Sequence, residues 1–155
     1  MRWLLFRQWQ EGRKKHSMID IQIKNTPLSV DECRNWLVDE RVGGEVLFVG
    51  KVRNHTQGKV VIRLDFEAYE PMAIKEMKKI AEQAMSTWPL SQVIIHHRVG
   101  QLEIGEIAVI IGVAAAHRKE AFAACEFSID TLKERVPIWK KEIFADGEVW
   151  VAAHP

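Results

Sequence analysis

The sequence predicts an α+β fold, and three observations predict it. Strand patterns come in neighbouring pairs with helices between them, not in the strict strand–helix alternation of a doubly wound parallel sheet. Two long patterns with apolar residues at helical spacing are bounded by Pro71, Pro89 and Pro137. Near the end, Asp146-Gly147 stands between two short strand-like runs, a strong short-range hairpin signal.

Taken in order, Ile19, Ile21 and Ile23 alternate with polar residues, which marks a half-buried strand. Ser29-Val30-Asp31-Glu32 has the form of a capping box and opens a helix that carries Val30, Cys33, Trp36 and Leu37 inward. Gly43-Gly44 ends that segment. Residues 45–52 read as an apolar strand, and residues 54–59, with Gly58, turn into a second strand over 60–69. Pro71 stands at the start of a helix with Ala73, Met77, Ile80, Ala84 and Trp88 at helical spacing, and Pro89 closes it. Residues 93–102 and 106–115 are two further strands, antiparallel and joined around Gly105. The next helix begins near His117, sets Phe122, Cys125, Ile129 and Leu132 on one face, and stops at Pro137. Residues 142–144 and 148–151 form the arms of the last hairpin.

At 155 residues, 47% hydrophobic and 28% charged, the chain is one domain, large enough to bury a core without staples. A net charge of +1 argues against a protein that coats nucleic acid, since such proteins carry a pronounced basic excess. Cys33 and Cys125 are far apart and in no metal-ligand spacing, so neither a disulfide framework nor a metal site is expected, and a reducing cytoplasm is the natural compartment. Cys125 falls on the apolar stripe of its helix, as a buried structural thiol does. His96 and His97 are adjacent on a strand and point to opposite faces, so they do not share a metal. No run approaches the ~20 apolar residues of a membrane-spanning helix. Residues 1 to 17 lack the apolar stretch and cleavage site of a signal peptide; they read as an extension outside a domain spanning 18–155, with Met18 as its working start. Trp88, Trp139 and Trp150 fall where core or pocket-wall positions are expected.

The residues with chemical potential are basic. Lys133-Glu-Arg135-Val136-Pro137-Ile138-Trp139-Lys140-Lys141 crowds four cations around an apolar centre, which a solvated charge run would lack. Lysines held against apolar walls lose solvation, and two that share a pocket repel, and both effects lower the ammonium pKa. A cation at the end of a helix is also favoured by the macrodipole, so Lys133 carries a structural reading beside the catalytic one. His117-Arg118 lies at a strand-to-helix junction, where a guanidinium, an imidazole and backbone N–H groups together suit a phosphate. Lys51 and Arg53 share one strand face with Val52 pointing away; they can grip an anion, although exposure alone also explains them. There is no dinucleotide-binding glycine pattern, phosphate-binding P-loop or nucleophile elbow, and no cofactor is expected.

Five segments carry a resemblance: Phe48-Val49-Gly50-Lys51-Val52-Arg53-Asn54, Phe66-Glu67-Ala68-Tyr69, His97-Arg98-Val99-Gly100, Ala116-His117-Arg118, and Leu132-Lys133 with Pro137-Ile138-Trp139-Lys140-Lys141-Glu142. In this order and spacing, from about Ile19 to Val151, the chain resembles the large, catalytic subunit of molybdopterin synthase. The resemblance implies an α/β-hammerhead type of α+β domain. It also implies a sulfurtransferase of molybdenum cofactor biosynthesis that converts cyclic pyranopterin monophosphate into molybdopterin by inserting two sulfurs.

The sulfur donor implied is a thiocarboxylate on the C-terminal Gly-Gly tail of a small ubiquitin-like partner, one bound at each end of a central homodimer. By position, Lys51, Val52, Arg53, His117, Arg118, Lys133, Lys140, Lys141 and Glu142 match the substrate-contacting segments, and Phe48 and Ile129 match the pocket wall. Ile129 stands where some relatives have methionine, and His154 stands roughly where some have an arginine. Lys133 is the expected main catalytic group, with Lys140 assisting. Two other classes are compatible with the same basic clusters: a noncatalytic pterin- or nucleotide-phosphate-binding module, and a docking protein for an acidic tail.

Overall fold

The computed structural model describes residues 18–152; the expected extension over residues 1 to 17 and His154 lie outside the described residues. The elements are β1 (Ile19–Lys24), α1 (Val30–Trp36), β2 (Gly44–Lys51), β3 (His55–Thr56), β4 (Lys59–Ala68), α2 (Glu70–Thr87), β5 (Leu90–Arg98), β6 (Gly100–Glu103), β7 (Ile107–Ala115), α3 (Arg118–Arg135), β8 (Ile138–Phe144) and β9 (Gly147–Ala152). They form two mainly antiparallel sheets with helices packed against them, the α+β class read from the sequence.

The first sheet has the order β1-β5-β7-β2, with β1 parallel to β5 and the other pairs antiparallel. Its central strands are buried on both faces, so β5 and β7 read as continuous apolar runs. Val93, Ile95, Val109, Ile111 and Val113 face the main core with Met77 and Ile80 of α2 and Ala124 and Leu132 of α3. Ile94, Ile110 and Ala114 face a smaller core with Cys33 of α1 and Leu37 just beyond its end. The Ser29 Oγ accepts from the Glu32 N–H at 3.1 Å, as the capping pattern predicts. On the α1 side, the His96 ring bridges the Cys33 thiol (3.5 Å) and the Asp20 carboxylate (2.7 Å). Burial pushes both the Cys33 and Cys125 thiols up to about 11, so they stay protonated structural groups.

The second sheet has the order β3-β4-β8-β9, and β6 pairs with β4. Here the structure corrects several sequence expectations. The strand expected over 93–102 is two strands in different sheets: β5 ends at Arg98, and Gly100, at φ 96°, supplies the left-handed turn that redirects the chain into β6. The expected turn over 54–59 holds the short strand β3, closed by Gln57 and Gly58, both at positive φ, as a tight hairpin requires. Gly43 does not end α1, which stops at Trp36; a side chain at Gly43 would collide with the Ala116 carbonyl beside the end of β7.

Phe122 is 62% exposed, not buried with Cys125. The inward face of α3 is built on Ala121, Ala124, Ser128 and Leu132, and Phe122 lies about 100° round the helix from Ala121. Trp139 and Trp150 are also exposed, because alternation along β8 and β9 turns them to the outer face of the second sheet. Trp88 packs at the core edge, its ring 5.5 Å from that of Phe127. Among the described residues no helix is long and apolar enough to cross a membrane.

Candidate active site

The cations that line one cavity of about 410 Å³ come from three parts of the fold. The end of β2 contributes Phe48 and Lys51, and the chain just beyond it Val52 and Arg53. The last turns of α3 contribute Ile129 and Lys133, and β8 contributes Lys140. The β2–β7 register shifts between Gly50 and Lys51, and Gly50 packs directly against Val109, leaving no room there for a side chain. Val52 and Ile129 are buried, and Phe48 is half-open to solvent, so the cations stand on apolar walls.

Pro137 explains why two lysines seven residues apart meet. The chain cannot continue as helix into Pro137, so α3 ends with Val136 in extended conformation and β8 starts at once. That reversal sets Lys140 beside the last turn of α3. Burial first, then the Lys140 and Arg53 charges, hold the Lys133 ammonium below the ordinary lysine pKa, with Asp130 opposing weakly. Lys140 has its own counter-ion: its Nζ lies 3.4 Å from Oε1 of Glu142, which is buried. A neighbouring groove of about 460 Å³ shares Arg53, Thr56 and Lys140 with the cavity and adds Glu142, Val149 and Val151.

Two groups expected at the site lie elsewhere in the chain. Lys141 alternates to the opposite face of β8 from Lys140, where its Nζ lies 3.6 Å from Glu148 and 5.1 Å from the Trp150 ring centre. His117 caps the far end of α3 and both it and Arg118 are exposed. At 1.5 Å per residue, the helix separates His117 from Lys133 by roughly 24 Å. The sequence reading missed Thr56, Phe66 and His97, which also line the cavity. His97 enters the sequence reading as a residue that shares no metal with His96 and as part of a resemblance segment; alternation with His96 places it on the other face of β5, and the β2, α3 and β8 residues that line the cavity with it come from distant parts of the chain.

Apolar walls, four converging cations and a lysine partly stripped of solvent give this α+β scaffold a cavity with the chemistry to hold an anion against apolar surface. The family model described as MoaE protein matches residues 23–135, and the chain belongs to that family. It is 47% identical to the "Molybdopterin synthase catalytic subunit" of Nostoc sp. over 81% of this chain and 78% of that protein. The crystal structure of molybdopterin synthase from Staphylococcus aureus superposes with a TM-score of 0.79 at 40% identity, covering 90% of this chain and 98% of that one. A chain in the complex of subunits 1 and 2 of molybdopterin-converting factor from Helicobacter pylori has a TM-score of 0.69, covering 90% and 94%; at 22% identity it shows a shared fold.

Proposed function

We propose that this chain is the catalytic subunit of a molybdopterin synthase, a sulfurtransferase of molybdenum cofactor biosynthesis. The observation that carries the reading is Lys133, held below its usual pKa in a cavity shared with Lys140 and Arg53. The name borne by its relatives supports the same reaction. In this reading the substrate is cyclic pyranopterin monophosphate. Its ring lies against Phe48, Val52 and Ile129, and its phosphate is held by Lys51 and Arg53.

Sulfur arrives as the thiocarboxylate that ends the Gly-Gly tail of a small ubiquitin-like subunit. Lys133 orients that anion and exchanges protons as sulfur attacks the substrate and water then cleaves the acyl C–S bond, so that the small subunit leaves as its carboxylate; Lys140, held by Glu142, stabilises the negative charge that develops. No carboxylate is among the residues lining the cavity, so neither phosphate nor thiocarboxylate meets a like charge on its walls. His117 and Arg118 complete the anion site from the second chain of a homodimer, which with two small subunits makes a heterotetramer. Their exposure and their distance from Lys133 along α3 support a role toward a neighbouring chain. The free, buried Cys33 and Cys125 fit a reducing cytoplasm.

The test is reconstitution with thiocarboxylated small subunit and cyclic pyranopterin monophosphate, followed by mass spectrometry. The expected product carries two added sulfurs. Substrate binding without product would mark a noncatalytic pterin-binding module, and partner binding without substrate binding would mark a docking protein.

A further inference from the structure

The cavity has an imbalance of hydrogen-bonding character. Lys51, Arg53, Lys133 and Lys140 only donate. A phosphate satisfies such donors, but a pterin-like heterocycle also carries ring N–H groups, and these need acceptors once water is displaced. Among the lining side chains, Thr56 offers a hydroxyl that both donates and accepts, and His97 offers an imidazole.

The state of that imidazole is set by its surroundings. His97 is 3% exposed and its ring meets Phe66 edge-on, with centroids 5.4 Å apart. Its Nδ1 lies 2.8 Å from the Arg98 carbonyl oxygen, which can only accept, so Nδ1 carries the hydrogen. In the neutral ring Nε2 is then a lone-pair acceptor. Burial, with the Lys133 charge adding to it, lowers the His97 pKa to about 4, so the ring is neutral at physiological pH.

Resting on the function proposed above, we propose that His97 is a specificity-determining residue of this cavity, whose Nε2 accepts a hydrogen bond from a ring N–H of the heterocyclic substrate. The cations secure the phosphate; His97 selects the heterocycle and its orientation.

Two substitutions separate this role from a structural one. His97→Asn keeps a donor for the Arg98 carbonyl and withdraws the acceptor, whereas His97→Gln keeps an acceptor near the Nε2 position and gives up the Arg98 bond. Calorimetry of the full chain with cyclic pyranopterin monophosphate should show His97→Asn weakened about tenfold to a hundredfold, the effect of leaving a buried N–H unpaired. His97→Gln should stay within a few-fold of wild type, and KM should follow affinity in both. Inorganic phosphate should bind wild type and both variants alike.

Wild-type substrate affinity in His97→Asn, equal losses in the two variants, or a parallel loss of phosphate binding would overturn the inference. Nitrogen NMR of wild type requires no substitution: the His97 Nε2 resonance should move on adding substrate and stay put with inorganic phosphate. A resonance indifferent to substrate would overturn the inference as well. If wild type neither binds nor converts the substrate, the proposed function fails and takes this inference with it. Working wild type beside an unimpaired His97→Asn sinks the inference alone.

Discussion

The Glu142 carboxylate lies 3.4 Å from the Lys140 ammonium on one face of β8, and Glu142 is 5% exposed while Lys140 opens onto the cavity. Residues two apart on a strand share a face, so the buried acid holds the cation next to it. The cavity therefore receives a positioned charge rather than a freely swinging lysine.

Glu142→Gln removes that counter-ion while keeping the side chain's shape. Stability should fall by about 1–3 kcal/mol, less than for a fully buried pair because Lys140 is partly solvated. Turnover should fall further than substrate affinity, since Lys140 loses its orientation. Urea unfolding alongside kcat and KM checks this; wild-type kcat in Glu142→Gln would remove Glu142 from the site.

Lys133→Ala should lower product formation by ~10²–10⁴-fold, the usual effect of losing a positioned proton-transfer group. Lys119→Ala is the control, equally basic but exposed in the first turn of α3 and absent from the cavity lining. Single-turnover assays of both variants give the comparison, and a dead Lys119→Ala beside an active Lys133→Ala would relocate the catalytic centre.

The pH dependence of the reaction should report the Lys140 charge. That charge helps to hold Lys133 below its ordinary pKa, so Lys140→Met should move the alkaline limb assigned to Lys133 upward. The shift is read from kcat/KM against pH, and a limb that moves downward would contradict the coupling.

His97 should make the fold sensitive to mild acid. Its pKa falls from 6.5 to about 4 on folding, so the unfolded chain binds the extra proton between those values. Stability contributed by neutral His97 is therefore present above 6.5 and lost as pH falls toward 4, about 3 kcal/mol in all. Wild type should lose more stability than His97→Phe between pH 7 and pH 4.5 in chemical denaturation, and parallel curves would refute the assignment.

A shared pocket predicts complementation. Arg118→Ala and Lys133→Ala chains, each inactive alone, should regain activity after unfolding and refolding together, because a mixed dimer holds one intact site. Absence of recovered activity, with mixed dimers demonstrated by mass, would confine each pocket to a single chain.

Much of the fold was legible because local rules and tertiary structure agree. Ser29 caps α1, Pro71 and Pro89 bound α2 and Pro137 ends α3, each through interactions within a few residues, while the last hairpin turns at Ala145-Asp146, one residue before the expected Asp146-Gly147 pair, with Gly147 already paired to Phe144. The cationic clusters and their family resemblance were likewise written in the order of residues. What local pattern could not decide was which clusters meet. Lys51, Arg53, Lys133 and Lys140 share a cavity only because β2, α3 and β8 pack together, whereas the length of α3 carries His117 and Arg118 away, and strand alternation turns Lys141 outward. His97 shows the same division. Its sequence position specifies a face of β5, but its burial, its bond to the Arg98 carbonyl and the nearby Lys133 charge arise from long-range packing, and these set its protonation state.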